Sequence, residues 1–447
     1  MKRIFLFPIA LLLSLVGAAQ GGAGWVDLFN GKDLSGWKQL NGNAKFEVIN
    51  GEIVGTSVLN TPNSFLATER DYSDFILELE MLVESNVNSG IQFRSQSLPE
   101  YNNGRVHGYQ CEVDPSPRAW SGGIYDEARR GWLYPLDINP AAKPAFKTGG
   151  WNHYKIECIG PSIRIWLNGI PTAWLYDDMT PSGFIALQVH SINRAELEGL
   201  KIRWKNIRIK TEQLTPAPFE DIYVVNLLDN HLSAPEQQQG FKLLYDGKSS
   251  NGWRSARGEQ FPQQGWEFHN GALTVLSSRG DNSNRGGDIV TTEKFSAFEL
   301  RFDFKMTEGA NSGVKYGLGN NGPSIGLEYQ VLDDANHPDA EQGAAGNRKL
   351  ASLYDLIPAD KEPRFVNGQG EWNRGAIVVH PDNRVEHWLN GRKVLEYTRG
   401  NNIYRALVAR SKFAEHEGFG MAAESPILLQ DHSDLVHYKN IKIKSLQ

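Results

Sequence analysis

Leu28-Phe29-Asn30-Gly31-Lys32-Asp33-Leu34-Ser35-Gly36-Trp37 returns, altered, as Leu244-Tyr245-Asp246-Gly247-Lys248-Ser249-Ser250-Asn251-Gly252-Trp253. Gly31 and Gly247 are 216 positions apart, and so are Trp37 and Trp253. Glycines suit a tight turn with positive φ, and a tryptophan gives that turn an apolar anchor. A polar corner repeated at fixed spacing reads as the start of each of two duplicated domains.

The duplication continues along the chain. Asn50-Gly51 matches Asn270-Gly271, a hairpin signal. Phe75 to Met81 matches Phe298 to Phe304, and both alternate apolar and polar residues as half-buried strands do. Asn88-Ser89-Gly90-Ile91 matches Asn311-Ser312-Gly313-Val314, and Trp151-Asn152 matches Trp372-Asn373. Trp166-Leu167-Asn168-Gly169 matches Trp388-Leu389-Asn390-Gly391, and Leu187-Gln188-Val189-His190 matches Leu429-Gln430-Asp431-His432. Lys205-Asn206-Ile207 matches Lys439-Asn440-Ile441. The offset grows to 242 and returns to 234, so insertions fall between strands, where loops tolerate them. Short alternating strands with Gly/Asn turns predict an all-β chain of two tandem sandwiches. The expected boundaries are 1–19 signal peptide, 20–212 first domain, 213–239 linker and 240–447 second domain. Pro216, Pro218, Pro235 and Gln237-Gln238-Gln239 mark the linker, in which 222–228 fits a short strand or helix packed on a domain.

The 447 residues exceed one ordinary core. Lys+Arg 46 against Asp+Glu 52, with no basic block, argues against nucleic acid or an anionic membrane as partner. Lys2 and Arg3 precede an apolar run, Ile4 to Val16, and the small residues Gly17-Ala18-Ala19. That pattern predicts a cleaved export signal and a periplasmic or secreted protein. The run is too short to span a membrane, and no cysteine follows it as a lipid anchor. Cys111 and Cys158 fit a disulfide in an oxidising compartment and equally two buried thiols. Oligomeric state stays open.

Strand alternation also groups candidate site residues. In the first copy Gln92, Arg94, Gln110, Glu112, Gln188 and His190 would line one cleft if their strands are neighbours, and Asp114 shares the polar side of its strand with Gln110 and Glu112. Glu112 beside Arg94 is then expected to stay ionised. The second copy offers Lys315, Glu328, Gln330, Gln430 and His432, with Glu and Gln exchanged and Gly317 in the place of Arg94, so its cation moves to Lys315. Tyr125, Trp132 and Tyr354 lie in following loops, as sugar platforms or packed corners. His337 and Asp339 read mainly as loop polars. The bland alternative throughout is a solvated strand face.

These motifs in order, with Gly123-Ile124-Tyr125-Asp126, Gly326 to Val331 and Ile427 to His432, resemble the 3-keto-disaccharide hydrolase domain family over nearly the whole mature chain. The resemblance implies a concanavalin A-like jelly roll and cleavage of 3-keto-glycosides by 1,2-elimination, with hydration completing a net hydrolysis. Such chemistry needs a base near C2, a donor or cation near the C3 oxygen and an acid at the leaving oxygen. Glu112 or His190, Arg94 and Tyr125 are candidates in the first copy; Lys315, Glu328 and His432 are candidates in the second. A divalent metal held by Glu112, Asp114 and His190 is compatible but not required by spacing. The partner implied is an oligosaccharide or glycoside. Rival readings are a tandem carbohydrate-binding protein without catalysis and a retaining glycosidase with paired carboxylates.

Overall fold

The computed structural model describes residues 24–446 except 85 and 279; the expected export signal lies outside the described residues. The repeated corner does the same work twice. Trp37 Nε1 donates to Leu28 O at 2.8 Å, and Trp253 Nε1 donates to Leu244 O at 2.6 Å. Gly36 and Gly252 both have φ near +85°, which an L side chain avoids. Both tryptophans are buried, so each corner is pinned to its own core.

Each copy is a sandwich of two antiparallel sheets. The larger sheet of the first copy runs Ile170–Tyr176, Ser162–Leu167, Asn152–Ile159, Phe75–Val83, Lys201–Lys210, Glu52–Thr56, Lys45–Ile49. Its smaller sheet runs Gly131–Tyr134, Ile124–Glu127, His107–Val113, Ser89–Gln96, Gly183–Val189, Ser64–Tyr72, Trp37–Leu40. In the second copy Val436–Ser445, Phe298–Met306, Trp372–Val379 and Arg384–Leu389 are central to the larger sheet. The smaller one runs Trp253–Ser255, Ile289–Thr291, Leu428–Leu429, Asn311–Tyr316, Leu327–Leu332. The alternation of Phe75–Val83 sends Phe75, Leu77, Leu79, Met81 and Val83 into the core between the sheets. From the facing sheet Ile91, Phe93, Tyr109, Cys111 and Val113 meet them. Cys111 and Cys158 are free, buried thiols in this core, and burial pushes Cys158 up to about 12.

The segment between the copies is built into both. Val225–Asn226 pairs in parallel with Ile170–Tyr176 of the first domain. The short helix Ala234–Gln238 starts with a capping box, Ser233 and Glu236. Glu236 is fully buried and ion-paired to Lys442 of the second domain at 2.5 Å. Arg301 of that domain donates to Val224 O at 2.7 Å and lies 3.7 Å from the Tyr223 ring centroid. The two domains therefore touch, with this segment between them. No helix among the described residues is long and apolar enough to cross a membrane.

Candidate active site

The face of each smaller sheet turned away from the core carries the polar residues. In the first copy Gln188 is opposite Gly90, and Gly90 is opposite Glu112, so the three form one row across the strands. A Cβ on Gly90 would lie 2.4 Å from Gln110 Cδ; the glycine lets the Gln110 side chain fold over the sheet. Gln110 Oε1 then accepts from Gln92 Nε2 at 2.8 Å and Gln188 Nε2 at 2.9 Å. Gln110 Nε2 donates to Glu112 Oε2 at 3.0 Å, and Asn88 Nδ2 donates to Oε1 at 2.6 Å. The row expected to line an open cleft is thus closed on itself, and Glu112 is only 4% exposed.

Two expectations fail at Arg94. Simple alternation places it in the cleft, but the strand register breaks between Phe93 and Gln96, and Arg94 takes φ +45°. Such a bulge re-aims the side chain. Arg94, 1% exposed, donates to Ser73 O, Gly160 O and Asp74 Oδ1 at 2.7, 2.9 and 3.0 Å. It clasps loops at the ends of the strands and leaves Glu112 without that cation. Glu112 is accordingly not held ionised: burial pushes its carboxyl up to about 7, against the pull of its Asn88 and Gln110 hydrogen bonds. The second copy explains the substitution, since Gly317 has φ +61° at the matching position. What is common there is the backbone turn, and the cation has not moved from one cleft position to another.

The other first-copy candidates also find partners. His190 lies just beyond Gly183–Val189, with Nδ1 2.7 Å from Ser191 O. Tyr125 is opposite Gln110, but its ring meets Trp132 edge-on at 5.1 Å, and Trp132 meets Trp120 at 4.6 Å. These aromatics form a packed corner. Asp114 accepts from Arg118 Nε at 2.8 Å and from Ser116 N–H at 3.1 Å. Glu112, Asp114 and His190 do not gather as metal ligands.

The second copy has the same plan and a different outcome. Gly313 is opposite Gln330, and Lys315 is opposite Glu328, so Glu328 occupies the position of Gln110 and Gln330 that of Glu112. A Cβ on Gly313 would lie 2.2 Å from Glu328 Oε1, the same close approach as over Gly90. Lys315 Nζ is 3.4 Å from Glu328 Oε2. The Gln430 amide, turned to satisfy both neighbours, donates to Glu328 Oε1 at 3.3 Å and accepts from Lys315 Nζ at 3.1 Å. These groups border an open pocket of about 210 Å³, which His432, Gln330, Asn311 and Tyr354 also line.

Three further lining residues, Lys412, Phe413 and His416, come from the segment after Arg392–Thr398 that contains the helix Asn402–Val408. This is where the offset between the copies jumps from 222 to 242, so the first copy lacks it. That jump was the available sequence signal; no periodicity marked the three side chains. Tyr354 donates its hydroxyl to Asp339 Oδ2 at 2.8 Å, and Asp339 also pairs with Arg348 at 2.9 Å. Asp339 thus serves as a loop polar. His337, His432 and Asp434 bring potential ligand atoms within 4.8 Å of one another, the one such group among the described residues. His337 Nδ1 accepts from Asp339 N–H at 3.1 Å, and its Nε2 lies 3.5 Å from Asn311 Nδ2.

A family model described as the 3-keto-alpha-glucoside-1,2-lyase-like domain matches residues 24–210 and again 240–444. The chain belongs to this family. Among relatives of this lyase-like family, a 3-keto-disaccharide hydrolase of Bacteroides thetaiotaomicron is 34% identical over 247 residues, 48% of this chain and 81% of that one. A solved protein of Parabacteroides distasonis, provisionally named a glycosyl hydrolase, is 28% identical with a TM-score of 0.42. It covers 49% of this chain and 100% of its own. The carbohydrate-binding module CBM66 of Bacillus subtilis matches at 17% identity and TM-score 0.29, over 41% of this chain and 99% of the module.

Proposed function

We propose that this carbohydrate-active protein cleaves 3-keto-glycosides by removing the C2 proton and expelling the C1 substituent, and that its second domain does so. The observation that carries this reading is the open second-domain pocket, where a carboxylate, an ammonium and an amide meet beside His432. The family match and the Bacteroides relative's name supply the substrate class.

The chemistry follows from these groups. A C3 ketone acidifies the proton on C2. Glu328, paired with Lys315, is the base that takes it, and Gln430 fixes the carboxylate's orientation. The Lys315 ammonium sits where it can stabilise negative charge developing on the C3 oxygen. His432, at the exposed edge with Nδ1 3.8 Å from Asp434, protonates the leaving oxygen. Water added at C1 of the enone gives the net hydrolysis. No step needs a metal. The first domain, whose Glu112 is buried and hydrogen-bonded to Asn88 and Gln110, is a non-catalytic copy. The Lys2/Arg3 leader points to an exported enzyme.

Release of aglycone from an aryl 3-keto-glucoside tests this. Glu328→Gln should lower kcat by roughly 10²–10⁴-fold, as loss of a general base does, while Glu112→Gln leaves it unchanged. Full activity of Glu328→Gln, or an inactive wild type, would reject the assignment.

A further inference from the structure

The joint between the domains buries three polar side chains that the proposed reaction does not use. Asn226 lies opposite Tyr176 on the short strand paired with Ile170–Tyr176, and so belongs to the first domain's edge. Lys442 lies opposite Arg301 on Val436–Ser445 of the second domain. Glu236 stands between them, and all three are buried. One carboxylate holds both of the others. Glu236 Oε2 accepts from Asn226 Nδ2 at 2.6 Å. Glu236 Oε1 lies 2.5 Å from Lys442 Nζ, a close contact without the alignment of a hydrogen bond. Lys442 and Asn226 also border the same small cavity, about 50 Å³, with Tyr223, Val225 and Phe302.

These are the parts that an amide exchange needs. The nucleophile is an amine. Burial pushes Lys442 below the usual lysine range, and the Arg301 cation adds to this against the pull of Glu236. Arg301 Nη1 is itself 4.0 Å from the Glu236 oxygen that Lys442 meets. The electrophile is the Asn226 carboxamide. Its Oδ1 accepts the Leu228 N–H at 3.0 Å, a donor already aimed at the oxygen on which negative charge would develop. Its Nδ2, the leaving nitrogen, faces a carboxylate able to carry protons to it.

We propose that Lys442 and Asn226 are joined by an intramolecular amide bond, which forms because one buried carboxylate holds both partners and which ties the second domain covalently to the edge of the first. Glu236 takes a proton from the ammonium, and the freed amine attacks Cγ of Asn226. The Nζ–Cγ bond forms and the Cγ–Nδ2 bond breaks. The two protons that Nζ sheds pass through Glu236 to Nδ2, which departs as ammonium, and Glu236 ends as the carboxylate it began. No electrons change hands, and no co-reactant is consumed. Neither Lys442 nor Asn226 lines the second-domain pocket, so the bond is independent of the sugar chemistry.

Mass spectrometry of the denatured full chain tests this. The protein should be lighter by one ammonia than its sequence dictates, and a digest should yield a branched peptide joining Asn226 to Lys442. A single protease cut between these two residues should leave the fragments together on a denaturing gel. Lys442→Met, Asn226→Ala and Glu236→Gln should each keep the full calculated mass and separate after the same cut. Where a variant folds poorly, the wild-type mass still decides. A wild-type protein at its full sequence mass with no branched peptide would overturn the proposal, and so would a branch from Lys442 to Asp303, the carboxyl that lines the same cavity.

Discussion

Replacing Glu112 with glutamine should stabilise the first domain, and only above a definable pH. In the unfolded chain this carboxyl loses its proton near 4.5; in the folded protein burial raises that point to about 7. Below 4.5 both states hold the proton and the group contributes no difference. Between 4.5 and 7 the folded state binds more protons than the unfolded one, so stability falls as pH rises. Above 7 the folded domain carries a buried carboxylate, and the loss is complete. The displacement from 4.5 to about 7 corresponds to about 3 kcal/mol. Glutamine has nearly the same shape. Its oxygen can accept from Gln110, and its amide can donate to Asn88 once that terminal amide turns over. Thermal melts of both proteins from pH 4 to 9 should coincide at the acid end. They should diverge toward pH 8, at about 2–4 °C per kcal/mol for a domain of this size. A constant difference at every pH would refute the buried-charge argument. A glutamine variant less stable at pH 8 would show that the carboxylate is favoured where it sits.

Two other substitutions probe the sheet faces. Gly313→Ala places a methyl group against Glu328 and should displace the carboxylate from Lys315, lowering kcat on a 3-keto-glucoside at least about tenfold with little change in melting. Arg94→Ala removes three hydrogen bonds and leaves the Ser73 and Gly160 carbonyls unpartnered. It should destabilise the first domain by about 3 kcal/mol in denaturant titrations, without changing turnover.

The domain pair and the polar rows were legible because they rest on period-two geometry and on repeated turns. The exchange of Glu and Gln between Gln110/Glu112 and Glu328/Gln330 followed from alternation alone, and the strand registers place those residues as read. Arg94 was misread because a bulge changes the face of a side chain without altering the local residue pattern. The inverted ionisation of Glu112 followed from the same error. Whether a polar row lines an opening or saturates itself depends on what covers it, and that is decided by insertions. Lys412 and Phe413 belong to such an insertion and follow no strand period. The 222–228 stretch fitted a short strand or helix packed on a domain, and Val225–Asn226 is that strand; its choice of the first-domain edge is tertiary and left no mark in the residues.

Glu236 gives the duplication an unexpected seam. The family match resumes at residue 240, but the carboxylate that neutralises Lys442 sits before it, in a segment whose other end is woven into the first domain. A second copy cut at the family boundary would keep the residues of its smaller-sheet pocket and lose a counter-ion from beneath its larger sheet, stranding a buried ammonium. A second copy carries that counter-ion only when the cut falls ahead of Ser233, upstream of the family boundary.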